Sequence, residues 1–83
     1  MLATDLKTLL EDRANNWVFS VYGEGRNFQI EVVSDDFATM SRVKRQQAVF
    51  RLIAAEIADG KLHAITITAL TKKEKNKSQG LGL

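Results

Sequence analysis

Few side chains in this 83-residue chain are equipped for chemistry, and the single histidine, His63, heads the set. A neutral imidazole is a good ligand for zinc, iron or copper. One histidine does not make a metal site, however. On pattern alone His63 reads as a residue closing the end of the core, hydrogen-bonded to backbone. The chain has no cysteine. That excludes a disulfide, a self-contained thiolate zinc site, a complete cysteine-ligated iron–sulfur site and a cysteine nucleophile. No Ser/His/Asp arrangement lies within evident reach, and there is no phosphate-binding P-loop. Asp35 and Asp36 are adjacent carboxylates before a short helical turn, where capping explains them better than acid–base catalysis. Gly23-Glu24-Gly25 is a lone Gly-x-Gly that precedes no dinucleotide-binding helix. The chain reads as a non-enzyme.

The cations are the other candidates. Net charge is +2, and the charge is unevenly placed. Lys72, Lys73, Lys75 and Lys77 crowd the C-terminal segment, while Arg42, Lys44, Arg45 and Arg51 crowd one predicted helix. Such clusters can contact DNA or RNA phosphates, or serve only as a solvated surface. On a helical wheel Lys44 and Arg51 lie close together and Arg42 and Arg45 point elsewhere, so the four do not form one stripe. The sequence offers phosphate contacts and no clear reader of base edges.

The elements that must position these groups follow from periodicity. The composition, 45% hydrophobic and 27% charged, is that of one small folded domain. Thr4 is a predicted helix cap, with Leu2, Leu6, Leu9 and Leu10 on one face and Ala14-Asn15-Asn16 as a left-handed stop. Trp17 to Tyr22 and Asn27 to Ser34 alternate with period two around a glycine turn, Gly23-Glu24-Gly25-Arg26, and so predict an antiparallel hairpin. Phe37 to Met40 predicts a single helical turn. Ser41 caps a longer helix to about Ala58, with Val43, Phe50, Ile53, Ala54 and Ile57 as its apolar stripe, and Asp59-Gly60 ends it. His63 to Leu70 predicts a third strand, after which the pattern disappears. Residues 1–71 are therefore expected to form the domain, and 72–83 a basic, disordered tail. The start of the chain lacks the basic region and apolar run of a signal peptide, and no stretch approaches the roughly 20 apolar residues of a membrane helix. The expectation is a cytoplasmic protein with no membrane contact.

The order α-β-β-α-β predicts an α+β fold: a three-stranded mixed sheet with helices packed on one face. The last strand is reached from the second through a helix, so these two should be parallel neighbours. Asn27 and His63 each begin one of them. The glycine turn and the imidazole should then meet at one edge of the sheet, with His63 sharing the parity of Ile65 and Ile67.

The runs Val33-Ser34-Asp35-Asp36-Phe37, Met40-Ser41-Arg42-Val43-Lys44-Arg45-Gln46-Gln47-Ala48-Val49-Phe50 and Leu62-His63-Ala64-Ile65-Thr66-Ile67 resemble the BolA family. The Ser-Arg-Val-Lys-Arg-Gln-Gln stretch is closest to its YrbA-like branch. The resemblance spans the first helix to about Thr71. It implies a core related to the nucleic-acid-binding KH fold, although the KH clamp Gly-x-x-Gly is missing between Thr39 and Val43. It also implies a heterodimer with a monothiol glutaredoxin and a [2Fe-2S] cluster shared with that partner and glutathione, with no cofactor when alone. The free protein would be a monomer or weak homodimer. In the family, cluster ligands come from the histidine at the start of the last strand, which matches His63, and from the hairpin loop, here Gly23, Glu24, Gly25 and Arg26 with Asn27 at the ligand position. This implication reverses the reading of His63 from structural to functional. Two departures stand out. The loop histidine of the branch is Asn27 here, and an amide oxygen is a poor ligand for such iron. The family ending Thr-Pro-Glu-Glu-Trp is Thr71-Lys72-Lys73-Glu74-Lys75. Transcriptional regulation through a DNA-binding second helix (Arg42, Lys44, Arg45, Arg51) is the alternative the family suggests, alongside stress response.

Overall fold

A computed structural model describes residues 1–81, with side chains to Lys77. The elements run α1 (Ala3–Arg13), β1 (Val18–Glu24), β2 (Asn27–Val33), a 3-10 helix (Asp35–Thr39), α2 (Arg42–Leu52), α3 (Ala54–Ala58), β3 (Ala64–Leu70) and α4 (Lys72–Leu81). The sheet order is β1-β2-β3. β1 and β2 are antiparallel, and β2 and β3 parallel, with Asn27 opposite Ala64 and Val33 opposite Leu70. The expected α+β topology is therefore present. None of the described helices is long and apolar enough to cross a membrane.

Alternation builds the inner face of the sheet. Phe19 on β1, Phe28, Ile30 and Val32 on β2, and Ala69 on β3 are buried against Leu6 and Leu10 of α1, Val49 of α2, Ile53, Phe37 and Leu62. The hairpin closes through a two-residue turn. Gly25 sits at φ +68° and no non-glycine residue has positive φ, the sign pattern of a type II′ turn. Gly23, at φ +119°, lies where a Cβ would stand 2.3 Å from the Asn27 carbonyl oxygen across the ladder.

Several expectations are corrected. The first helix starts at Ala3 with Leu2 as its cap residue. Thr4 lies inside the helix, and Asp5 accepts a hydrogen bond from the Leu2 N–H. It ends without a left-handed asparagine. The predicted single second helix is two, broken at Ile53 (φ −124°, ψ 12°). There Arg13 Nη1 takes the Leu52 carbonyl at 2.6 Å, and the Ile53 N–H turns back to Phe50 O. Of the expected apolar stripe, Ile53 is buried and Ile57 packs against the core, whereas Val43, Phe50 and Ala54 are exposed; the other inward positions are Arg45, Val49 and Glu56. Two charged side chains on the buried face, each with a partner, hide the helical period. Arg13 meets Glu56 in a bidentate pair at 2.6 and 3.1 Å, and Arg45 meets Glu74 at 2.7 Å.

The segment expected to be a disordered tail is helical from Lys72 to Leu81. The cause is local. Thr71 and Glu74 form a reciprocal cap, with the Glu74 N–H donating to Thr71 Oγ1 (3.1 Å) and the Thr71 N–H donating to Glu74 Oε1 (2.8 Å). Residues 82–83 of that expectation lie outside the described residues. On the far side of β3 the free strand edge is sheathed by α2: Gln46 Nε2 donates to Ile67 O at 2.6 Å and Arg45 Nη1 to Ala69 O at 3.2 Å.

Candidate functional site at the hairpin corner

The chain enters the corner through a stop. Gly60 takes φ +83°, the Lys61 N–H bonds the Asp59 side chain, and the Leu62 N–H bonds Glu56 O at 3.1 Å. Leu62 is then buried at 1% exposure, and His63, the next residue, is exposed. The regular strand begins only at Ala64, so the parity that linked His63 to Ile65 does not extend to it. Leu62 closes the core and leaves the imidazole to solvent. This removes the reading of His63 as the residue sealing the core's end.

The backbone of His63 is fixed from the opposite side as well, since its N–H donates to the Arg26 carbonyl at 2.7 Å. Arg26 is in the hairpin turn, and Asn27 pairs with Ala64 in the next row. Parallel pairing has thus brought the glycine turn and the histidine together, as the topology required. Gly23, Glu24, Gly25, Arg26 and Asn27 are all exposed around it. Beside them, on the sheet face opposite the main helices, Tyr22, Asn27, Gln29, Ala64 and Thr66 line a shallow depression. The sequence reading did not single out this depression. Its signal was the outward parity of Tyr22, Gln29 and Thr66. Leu62 was also missed, because it falls out of step with the strand that follows it.

As a ligand set the corner provides one imidazole and, one row away, one carboxamide. No group of three or more His, Cys, Asp or Glu that could hold a metal ion occurs among the described residues. The donors do not fit a self-contained centre.

The four cations of α2 are not equivalent. Arg45 is spent inside the protein: its side chain is 13% exposed and binds Met40 O, Ala69 O and Glu74. It is not available to nucleic acid in this arrangement. Lys44 and Arg51 are exposed and together border a second, separate depression with Met40, Gln47 and Ala48. Arg42 is exposed on the other side, toward β3.

A three-stranded mixed sheet on an α-β-β-α-β core defines a class of small α+β domains, and comparison gives the family. Residues 10–74 match the family described as BolA-like protein, and the chain belongs to it. An uncharacterized protein of Haemophilus influenzae is 33% identical over 78 residues, covering 92% of this chain and 89% of that one. The acid stress protein IbaG of Escherichia coli is 44% identical over 54 residues, covering 65% and 64%. Among solved structures, yeast Fra2 superposes with a TM-score of 0.73 at 28% identity, covering 98% of this chain and 90% of that one.

Proposed function

We propose that this protein is an adaptor that pairs with a monothiol glutaredoxin and lends His63 to a bridging [2Fe-2S] cluster. The remaining ligands would come from the glutaredoxin cysteine and a glutathione thiolate. The observation that carries the reading is an exposed imidazole whose backbone is pinned to the glycine turn at 2.7 Å while its neighbour Leu62 is locked in the core. Family membership supports it, and the name of the Escherichia coli relative ties that protein to acid stress. In this chain the same site would serve iron–sulfur or stress regulation.

The cluster would supply a redox-active iron centre, with neutral imidazole in place of thiolate raising its reduction potential. This chain's residues do three things. His63 offers a nitrogen donor at a fixed place, and Leu62 and Arg26 O hold that place. The Gly23–Asn27 loop borders the partner. Asn27 gives the corner a carboxamide where a second strong ligand would be needed, which makes the shared cluster labile.

The test is a titration of the protein into cluster-loaded monothiol glutaredoxin, followed by visible absorption and circular dichroism. The expected result is a changed spectrum that His63→Ala abolishes. A spectrum that the wild-type protein leaves unchanged would refute the proposal.

A further inference from the structure

Along its first six residues, Lys72 to Lys77, α4 has no apolar side chain. It is attached instead through carboxylates. Glu74 Oε1 receives Arg45 Nη1 at 2.7 Å and the Thr71 N–H at 2.8 Å. Lys75 Nζ meets the Glu31 carboxylate at 2.9 Å. The Lys72 N–H donates to Asp35 Oδ1 at 3.2 Å. The first helical turn also begins Lys72-Lys73, which sets positive charge against the positive end of the helix dipole; within the turn Glu74 offsets it, alongside the Asp35 carboxylate at the Lys72 N–H. One carboxylate therefore caps the helix, compensates its dipole and ties it to α2. A helix of this length is marginal in water once detached.

We propose that α4 is an acid-released strap, undocking when Glu74 takes up a proton while the sheet and its core stay folded. The charged groups facing the strap are Arg42 and Arg45 from α2, Glu31 from β2 and Asp35 from the 3-10 helix; β3 contributes none. The Thr71 N–H, and after it Arg45, hold the Glu74 carboxyl below its ordinary value of 4.5. A depressed folded value means the docked state is favoured above that pH and lost as pH falls through the lowered one. The apolar contacts of the core do not titrate; the Arg13–Glu56 pair, which also weakens with acid, joins α1 to α3 and makes no contact with the strap. Release of the strap takes the carboxylate off Arg45, which keeps its bonds to Met40 O and Ala69 O, beside Arg42 in the groove along β3 from Ile67 to Leu70. An acidified molecule would then present two arginines there, where the neutral one has a carboxylate bound to Arg45.

The full chain can be followed by NMR from pH 7 to pH 3, using 13Cα shifts of Lys72 to Lys77 for the strap and the amides of Ile30 and Val32 for the sheet. The expected result is loss of more than half the helical shift in the strap, with a midpoint below pH 4.5, while both sheet amides keep their folded positions. Glu74→Ala, at a side chain 45% exposed, should show the same loss at pH 7. Strap shifts that persist until Ile30 and Val32 also collapse would overturn the proposal. Full helical shifts in Glu74→Ala at pH 7 would overturn it too.

Discussion

Gly23→Ala and Gly25→Ala are the same chemical change two residues apart, and the structure assigns them different costs. At Gly25 (φ +68°) an added Cβ meets nothing within 4 Å, so the penalty is that of a left-handed alanine, about 1 kcal/mol. At Gly23 (φ +119°) the same atom would stand 2.3 Å from Asn27 O and 3.0 Å from Phe28 Cα. Both are backbone atoms of the paired strand and cannot rotate away. A carbon–oxygen contact needs roughly 3.3 Å, so the ladder must open by about 1 Å. Backbone strain of about 1–3 kcal/mol adds to an overpacking cost of similar size, giving about 4 kcal/mol. A domain of 83 residues has about 4–12 kcal/mol in total. The loss at Gly23 is therefore a large part of its stability. In melting temperature the gap between the two variants, about 3 kcal/mol, corresponds to roughly 12–24 °C. Urea unfolding monitored by Trp17, which lies 4.8 Å from the buried Phe37 ring, would measure it. Because the displaced residue is Asn27, the functional corner should loosen along with the fold. Equal midpoints for the two variants would refute the reasoning.

Leu62→Ala should cost about 2–5 kcal/mol by emptying a buried site, whereas His63→Ala, one residue on, should stay within about 0.5 kcal/mol of the parent in the same urea titration. Arg13 holds the Glu56 carboxyl below its ordinary 4.5, chiefly by a hydrogen bond. Its contribution to stability is therefore present at neutral pH and fades as pH falls through the lowered value. Glu56→Gln should lower the denaturant midpoint at pH 7 and flatten its decline below pH 4.5. Asn27→His should slow cluster loss from the glutaredoxin complex several-fold, read as the decay of visible absorption, if the corner is otherwise complete.

The sheet was legible because its signals are local and repeated. Phe28, Ile30 and Val32 alternate without interruption, two glycines mark the turn, and a helix between the last two strands dictates parallel pairing. From that alone the approach of His63 to the hairpin followed. The inward face of α2 and α3 was not legible, since Arg45 and Glu56 occupy buried positions and find partners on α4 and α1 that no helical period reveals. The break at Ile53 has the same origin: the competing donor, Arg13, lies far away in the chain. α4 was missed for a different reason. A search for apolar period finds nothing between Lys72 and Lys77, and what organises the segment is the Thr71-Lys72-Lys73-Glu74 cap, a signal of four residues. His63 was placed near the turn correctly and given the wrong parity, because the out-of-step Leu62 claims the interior.

The contact between the His63 amide and Arg26 joins the start of β2 to the start of β3 across the whole crossover. The corner depends on the parallel β2–β3 pairing, which is non-local and so slower to close than the β1–β2 hairpin. A molecule still searching for its parallel pairing carries the histidine and the turn but holds them apart. Partner recognition at this corner would therefore test for completed folding, admitting finished molecules and passing over newly made ones.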